Sequence, residues 1–185
     1  MTTAAPPTFE YAATDKARDG TFVRIRTIAP EDRDGLIETF RRLSPESIRA
    51  RWHGAKAALA AGEIAAETDI DPETHVGVVA TVWIDGRERI VGLASYFVDP
   101  WTEPRRAEIA FTVLDAWQGR GIGTLLFAHL ARIARRAGVD ELYAEVLSSN
   151  RRMLRIIRRS ALPAAIDWSG PEVRARVDLG RRVFA

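Results

Sequence analysis

The chain has 185 residues, 46% hydrophobic and 28% charged, with a formal net charge of +2 and no cysteine. That length and mixture predict a soluble globular domain with a substantial core, and no apolar run approaches the roughly 20 residues that cross a bilayer as a helix. Lack of cysteine excludes disulfides, thiolate metal ligands and a cysteine nucleophile together, and fits a cytoplasmic protein. His53, His75 and His129 are too widely spaced to form a metal-ligand motif, so no metal is expected. Of the 27 basic residues only Lys16 and Lys56 are lysine, and the near-neutral balance predicts neither a nucleic-acid nor a membrane partner.

Residues 1–20, opening "MTTAAPPTFE", have neither a basic n-region nor an apolar h-region, and read as a flexible lead-in rather than a secretory signal. Residues 21–185 read as one domain. Phe22 to Ile28 alternates apolar and basic residues, the pattern of a half-buried strand. Pro30 opens a helix with Glu31 and Asp32 in its first turn and Leu36, Ile37, Phe40 and Leu43 at helical spacing. Ser44-Pro45-Glu46 starts a second helix, with an N-cap before proline and with Ile48 and Trp52 turned inward.

Val76 to Ile84 and Glu88 to Val98 are strands separated by Asp85-Gly86-Arg87, a hairpin signal. Ala107 to Leu114 is another apolar strand. A glycine loop follows, then a helix with Ile122, Leu125, Leu126, Leu130 and Ile133 on one face, stopped by Gly138. Leu142 to Leu147 is a strand, and Ser148-Ser149-Asn150 caps a short arginine-rich helix. Pro163 to Leu179 folds as a hairpin around Ser169-Gly170. Trp52, Trp83 and Trp168 are expected to pack in the core or the hairpins. The order predicts a mixed α/β domain.

The loop Gln118-Gly119-Arg120-Gly121-Ile122-Gly123 lacks the lysine of a Walker sequence, since Thr124 follows directly. It lies two-thirds along the chain, after an antiparallel hairpin, and its glycines are spaced G-x-G-x-G, which argues against a dinucleotide fingerprint. Glu145 is weak support for a ribose acid there. Bare backbone at a helix start still suits a pyrophosphate, through unpaired N–H groups and the positive end of the helix.

Those residues resemble the Q/R-x-x-G-x-G/A signature of the GNAT superfamily of acyl-CoA-dependent N-acetyltransferases, and the flanking "AEIAFTVL" and "LYAEVLSSN" match too. The segments "RRLSPESIRARW" and "EVLSSNRRMLRIIRR" are similar to the bacterial protein-lysine acetyltransferase branch. The resemblance implies a mostly antiparallel sheet, flanked by helices and splayed at a central V-shaped cleft that takes acetyl-CoA. It places the backbone of Phe111, Thr112 and Val113 on the pantetheine arm. The amides from Gln118 through Gly119, Arg120, Gly121, Ile122 and Gly123 to Thr124 would hold the pyrophosphate, and Asn150 would meet the cofactor. Arg151 or Arg152 would pair with the nucleotide's 3′-phosphate. The acceptor would be a protein lysine or a small amine, and a homodimer is left open.

A lysine amine is mostly protonated at pH 7, so transfer needs a base. Glu108 lies one residue into an otherwise apolar strand, where desolvation is expected to make it a better base, and the branch places its catalytic glutamate in this strand. Without cysteine, an acyl-cysteine route is closed and direct attack in a ternary complex is favoured. Many relatives carry a tyrosine on the last helix as acid for the leaving thiolate. Here "IIRRSAL" puts Ile156 or Ile157 at that place, and Tyr143, the nearest tyrosine in sequence, is on a strand that does not match. The general acid is left unassigned, and the missing tyrosine keeps a non-catalytic acyl-CoA-binding module on the same fold as the alternative to an enzyme. Glu67, Asp69, Asp71 and Glu73 read as a solvated acidic loop with some power to attract a cationic amine.

Overall fold

The computed structural model describes residues 10–180. The expected lead-in is corrected over its described part, because Ala12–Lys16 is a strand, β1, paired antiparallel to β2 (Phe22–Thr27) from Ala12↔Arg26 to Lys16↔Phe22. Residues 1–9 of that lead-in lie outside the described residues. A single turn at Pro30–Asp32 leads into α1 (Arg33–Arg41), which buries Leu36 and Phe40. Then comes α2 (Pro45–Trp52), whose first turn is closed by Ser44 Oγ accepting the Ser47 amide at 3.2 Å.

A third helix, α3 (Ala61–Thr68), was not expected from sequence; it buries Ile64 and Thr68 against the sheet. The hairpin of β3 (His75–Ile84) and β4 (Arg87–Asp99) turns on Asp85 and Gly86, whose φ of 50° and 72° give the twist that two-residue hairpins favour. The rest follows the expected order: β5 (Arg106–Val113), α4 (Ile122–Arg136), β6 (Glu141–Leu147), α5 (Arg151–Arg158), β7 (Ala164–Trp168) and β8 (Glu172–Asp178).

The strands form one sheet in the order β1-β2-β3-β4-β5-β6-β8-β7. Every neighbouring pair is antiparallel except β5 and β6, which α4 joins as a crossover. One sheet face packs on α4, where Ile122, Leu126 and Leu130 are fully buried with Val76, Val78, Ala94 and Tyr96. The valine, leucine and isoleucine side chains among them each contribute about 1.5–3 kcal/mol on burial. The helices α1, α2 and α3 cover part of the other face. Trp83 and Trp168 depart from expectation, being 71% and 55% exposed at strand ends, Trp168 with the Arg158 guanidinium 5.7 Å from its ring centroid. No helix among the described residues is long and apolar enough to cross a membrane.

Ser44 also donates to Asp115 Oδ1 at 2.7 Å, so it joins α2 to the turn after β5. Replacing it with alanine should destabilise the protein by about 1 kcal/mol, as loss of an N-cap does. Calorimetry should then find the Tm lower by roughly 2–4 °C.

Candidate functional site

The glycine loop joins β5 to the start of α4. Gly121 has a φ of 92°, a conformation that a side chain would strain, and a Cβ on Gly123 would stand 2.8 Å from Ile156 Cδ1. The amides of Gly119, Arg120, Gly121, Ile122 and Gly123 donate to no described residue. Two amides expected to join them are engaged within the loop, Gln118 with the Asp115 carbonyl and Thr124 with the Gly121 carbonyl. Such a cluster of donors at a helix start fits a diphosphate group.

The Gln118 side chain has a different role from its backbone. Its Nε2 donates to the Val113 carbonyl at 2.9 Å and to Ser47 Oγ at 3.0 Å, fastening the loop to β5 and α2. Asp115 adds to this joint by accepting from the Ser44 amide, Ser44 Oγ and Ser47 Oγ. Partial burial pushes its carboxyl up, but those donors outweigh it and hold the group below its ordinary value. On the other side, the β1–β2 turn reaches the loop. The Arg18 amide donates to the Arg120 carbonyl at 2.8 Å, Arg120 pairs with Asp19 at 2.9 Å, and the Arg18 side chain lies against Gly121. Sequence reading missed Arg18, because nothing in its neighbourhood marks contact with a loop about a hundred residues away.

β5 and β6 pair over three residues only, Arg106↔Glu141, Ala107↔Leu142 and Glu108↔Tyr143. Beyond that point β5 follows β4 and β6 follows β8, so the strands part and leave two inner backbone edges facing a cleft. Glu108 and Tyr143 stand at its vertex. The register continues across the sheet as a row, His75↔Phe97, Phe97↔Glu108 and Glu108↔Tyr143, on the face opposite α4. The desolvation expected for Glu108 does not occur, since its side chain is exposed and the buried positions Ala107 and Ile109 turn to the other face. Burial pushes the Tyr143 phenol up, with the Glu108 charge adding to the effect, so Tyr143 keeps its proton at neutral pH.

Phe111 turns toward α4 and packs on Phe127, with centroids 6.1 Å apart, while Thr112 faces the other way. Their side chains leave the sheet on opposite faces, so what they share along the open edge of β5 is backbone. Asn150 Oδ1 caps α5 by accepting from the Met153 amide at 3.1 Å, leaving its Nδ2 as the free donor. Arg152 extends to Glu46 at 3.3 Å across the surface, so its reach is toward α2 in this state.

The acidic stretch divides. Glu67 is on α3 with its side chain 16% exposed, whereas Asp69 pairs on the surface with Arg33 at 3.6 Å and Asp71 accepts from Thr74 Oγ1 at 2.9 Å. The solvated acidic loop therefore excludes Glu67. Its signal in the sequence was spacing, three residues after Ile64 on one helical face. His75 is buried, stacked on Phe97 at 4.1 Å and 6°, and burial pushes its imidazole down to about 4. Among the described residues no cluster is arranged to hold a metal ion.

The signature of the Acetyltransferase (GNAT) family matches residues 37–160, spanning the first helices, the glycine loop and the cleft. The chain belongs to the GNAT acetyltransferase family. It is 33% identical over 135 residues to Acetyltransferase PA5475 of Pseudomonas aeruginosa, covering 73% of this chain and 72% of that one. It is 29% identical over 146 residues to Acetyltransferase Pat of Mycolicibacterium smegmatis, covering 78% of this chain and 42% of that one. The crystal structure of the GNAT domain of S. lividans PAT superposes with a TM-score of 0.80 at 30% identity, covering 90% of this chain and 96% of that one. The chain thus spans less than half of the full-length mycobacterial relative and nearly all of the isolated GNAT domain. As a GNAT protein it is an N-acetyltransferase, and the family uses acetyl-CoA.

The buried His75 makes a prediction for stability. The unfolded chain takes up a proton near pH 6.5 that the folded chain refuses until about pH 4. Stability from this group is therefore full above pH 6.5 and is lost as pH falls toward 4. The raised Glu67 carboxyl acts in the opposite sense, so the His75 share is isolated by substitution. Thermal melts from pH 7 to pH 4 should show a shallower loss of Tm in His75→Gln than in the wild type.

Proposed function

We propose that this enzyme transfers the acetyl group of acetyl-CoA to an amine, with a protein lysine as acceptor, by direct attack in a ternary complex with Glu108 as general base. The observation that carries this reading is the parting of β5 and β6, with unengaged amides at one end of the cleft and Glu108 at its vertex. Similarity to the proteins named Pat and PAT supports the protein-lysine branch over small-molecule amines. Absence of cysteine supports a cytoplasmic setting.

Bound acetyl-CoA supplies a thioester-activated acetyl group. The Gly119 to Gly123 amides and the N-terminal end of α4 would hold the diphosphate. The open edge of β5 at Phe111, Thr112 and Val113 would receive the pantetheine arm, with an N–H of that edge polarising the carbonyl oxygen. Asn150 Nδ2 would donate from the β6 side. Glu108, exposed at the vertex, takes a proton from the acceptor ammonium through water. The neutral amine forms the new C–N bond as the C–S bond breaks, the sulfur leaves with the electron pair, and the amide nitrogen gives its remaining extra proton to water, from which the thiolate can be protonated. Thiolate is the stable form of a thiol at pH above roughly 8.5, so departure near neutral pH needs little help. Exposure of Glu108 makes it a base by position and solvent access rather than by burial.

Saturating acetyl-CoA at a hundred times its Kd should stabilise the protein by about 2.7 kcal/mol, read as a rise in Tm. No rise would count against cofactor binding. Glu108→Gln should leave that rise intact while lowering turnover about a hundredfold or more in a thiol-release assay; unchanged turnover at pH 7 would remove Glu108 from the role of base.

A further inference from the structure

Beneath α1, α2 and α3 the sheet face carries a cavity of about 280 Å³. Phe40, Leu43, Trp52, Leu59 and Leu93 make its walls apolar, and Thr112 forms the side on β5, next to the cleft. The charged groups that line it are Arg51, Glu63 and Glu67. Both oxygens of Glu63 are engaged, one accepting from Lys56 Nζ at 2.8 Å and the other from the Ala60 amide at 2.8 Å. Glu67 is not. It receives Arg51 Nη2 at a long 3.4 Å, and its Oε2 has no hydrogen-bond partner. His75 Nε2, at 3.9 Å from that oxygen, is likewise unpartnered.

A carboxylate offers about four acceptor sites, and burying it short of donors is unfavourable. Burial pushes the Glu67 carboxyl up against the pull of Arg51 and Ser95. The sheet beneath α3 carries small residues. Gly77, Ser95 and Ala110 are register partners in one row, and a Cβ on Gly77 would stand 3.4 Å from the Glu67 carbonyl. The adjacent row holds Phe97 and Glu108. Glu67 and Glu108 therefore flank the same patch of sheet, one inside an apolar cavity and one at the vertex of the cleft.

We propose that Glu67 is the residue that recognises the acceptor's cation, an aliphatic primary ammonium on an extended methylene stem, as in a lysine side chain or a linear diamine. This rests on the amine-acetyltransferase reading above. The apolar walls take the stem, as they would a lysine stem folded over apolar surface, and the under-coordinated carboxylate, by turning its buried Oε2 into the cavity, takes the ammonium through charge-assisted hydrogen bonds. Glu67 selects and Glu108 deprotonates. Glu67 is thus a specificity residue, and its loss acts on acceptor binding before it acts on turnover.

The test is steady-state kinetics on wild type and Glu67→Gln with two acceptors, Nα-acetyl-lysine methylamide and cadaverine, alongside a thermal melt. The variant should raise the acceptor KM about tenfold or more, the loss expected for a hydrogen bond to a charged group, with the acetyl-CoA KM unchanged. Which acceptor wild type uses identifies whether the stem is peptide-borne or free. A folded variant with unchanged acceptor KM overturns the assignment and makes Glu67 a buttress for α3. Transfer to neither acceptor by wild type counts instead against the function proposed above. Should the variant not fold, calorimetric titration of the wild-type complex with CoA decides. Nα-acetyl-lysine methylamide should bind about tenfold or more tightly than Nα-acetyl-norleucine methylamide, and equal or tighter binding of the norleucine compound overturns the proposal.

Discussion

The parting of β5 from β6 is the constraint on which the rest of the molecule depends. Backbone N–H and C=O groups need partners, and a sheet ordinarily supplies them on both sides of an interior strand. Here each of the two strands keeps a complete ladder on its outer side, β5 with β4 and β6 with β8, and they share only three residues between them. The inner edges are left as a lining of hydrogen-bonding groups in the middle of the sheet. The crossover α4 begins at the same end, so its unengaged amides face the mouth of the opening. A single topological choice, one parallel pair in an otherwise antiparallel sheet, thus creates the cleft and supplies donors at its mouth.

An opening in a sheet is useful only if its walls hold still. Two fastenings do this. From one side, Gln118, Asp115, Ser44 and Ser47 bind the loop to the start of α2. From the other, the β1–β2 turn holds Arg120 and covers Gly121, while the strand itself is anchored by Asp15 on His129 Nε2 at 2.6 Å and by Tyr11 on Nδ1 of the same ring. His129 is 4% exposed, so these contacts reach into the core beneath α4. The loop between them keeps its glycine backbone open because its neighbours carry the restraint.

Much of this was legible in the sequence. Alternating apolar residues and the Asp85-Gly86 turn gave β2 through β4, and Ser44-Pro45 gave the start of α2 to the residue. Two elements escaped. The strand β1, "AATDK", has no large apolar residue to mark it and owes its form to pairing with β2. The helix α3 is short, and its opening depends on Glu63 reaching back to the Ala60 amide rather than on a serine or aspartate cap. The loop glycines were legible as backbone chemistry, whereas the purpose of Gln118 was not, because its partners are five and seventy-one positions away. Glu108 was found through its neighbours, but their burial belongs to the opposite face. An apolar neighbour in a strand says little about a residue's own surroundings, since adjacent side chains point apart.

The row His75, Phe97, Glu108 and Tyr143 has a consequence for how such a protein can change. Four strands each contribute one position, and what brings the four together is alignment rather than sequence proximity. A slip of one residue between β4 and β5 would send Glu108 to the α4 side and bring Ala107 or Ile109 into its place, leaving every side chain intact and the arrangement gone. An insertion or deletion within either strand would have the same effect, whereas one in a turn would not. The hydrogen-bond register is itself what assembles the row, and no point substitution list would reveal it.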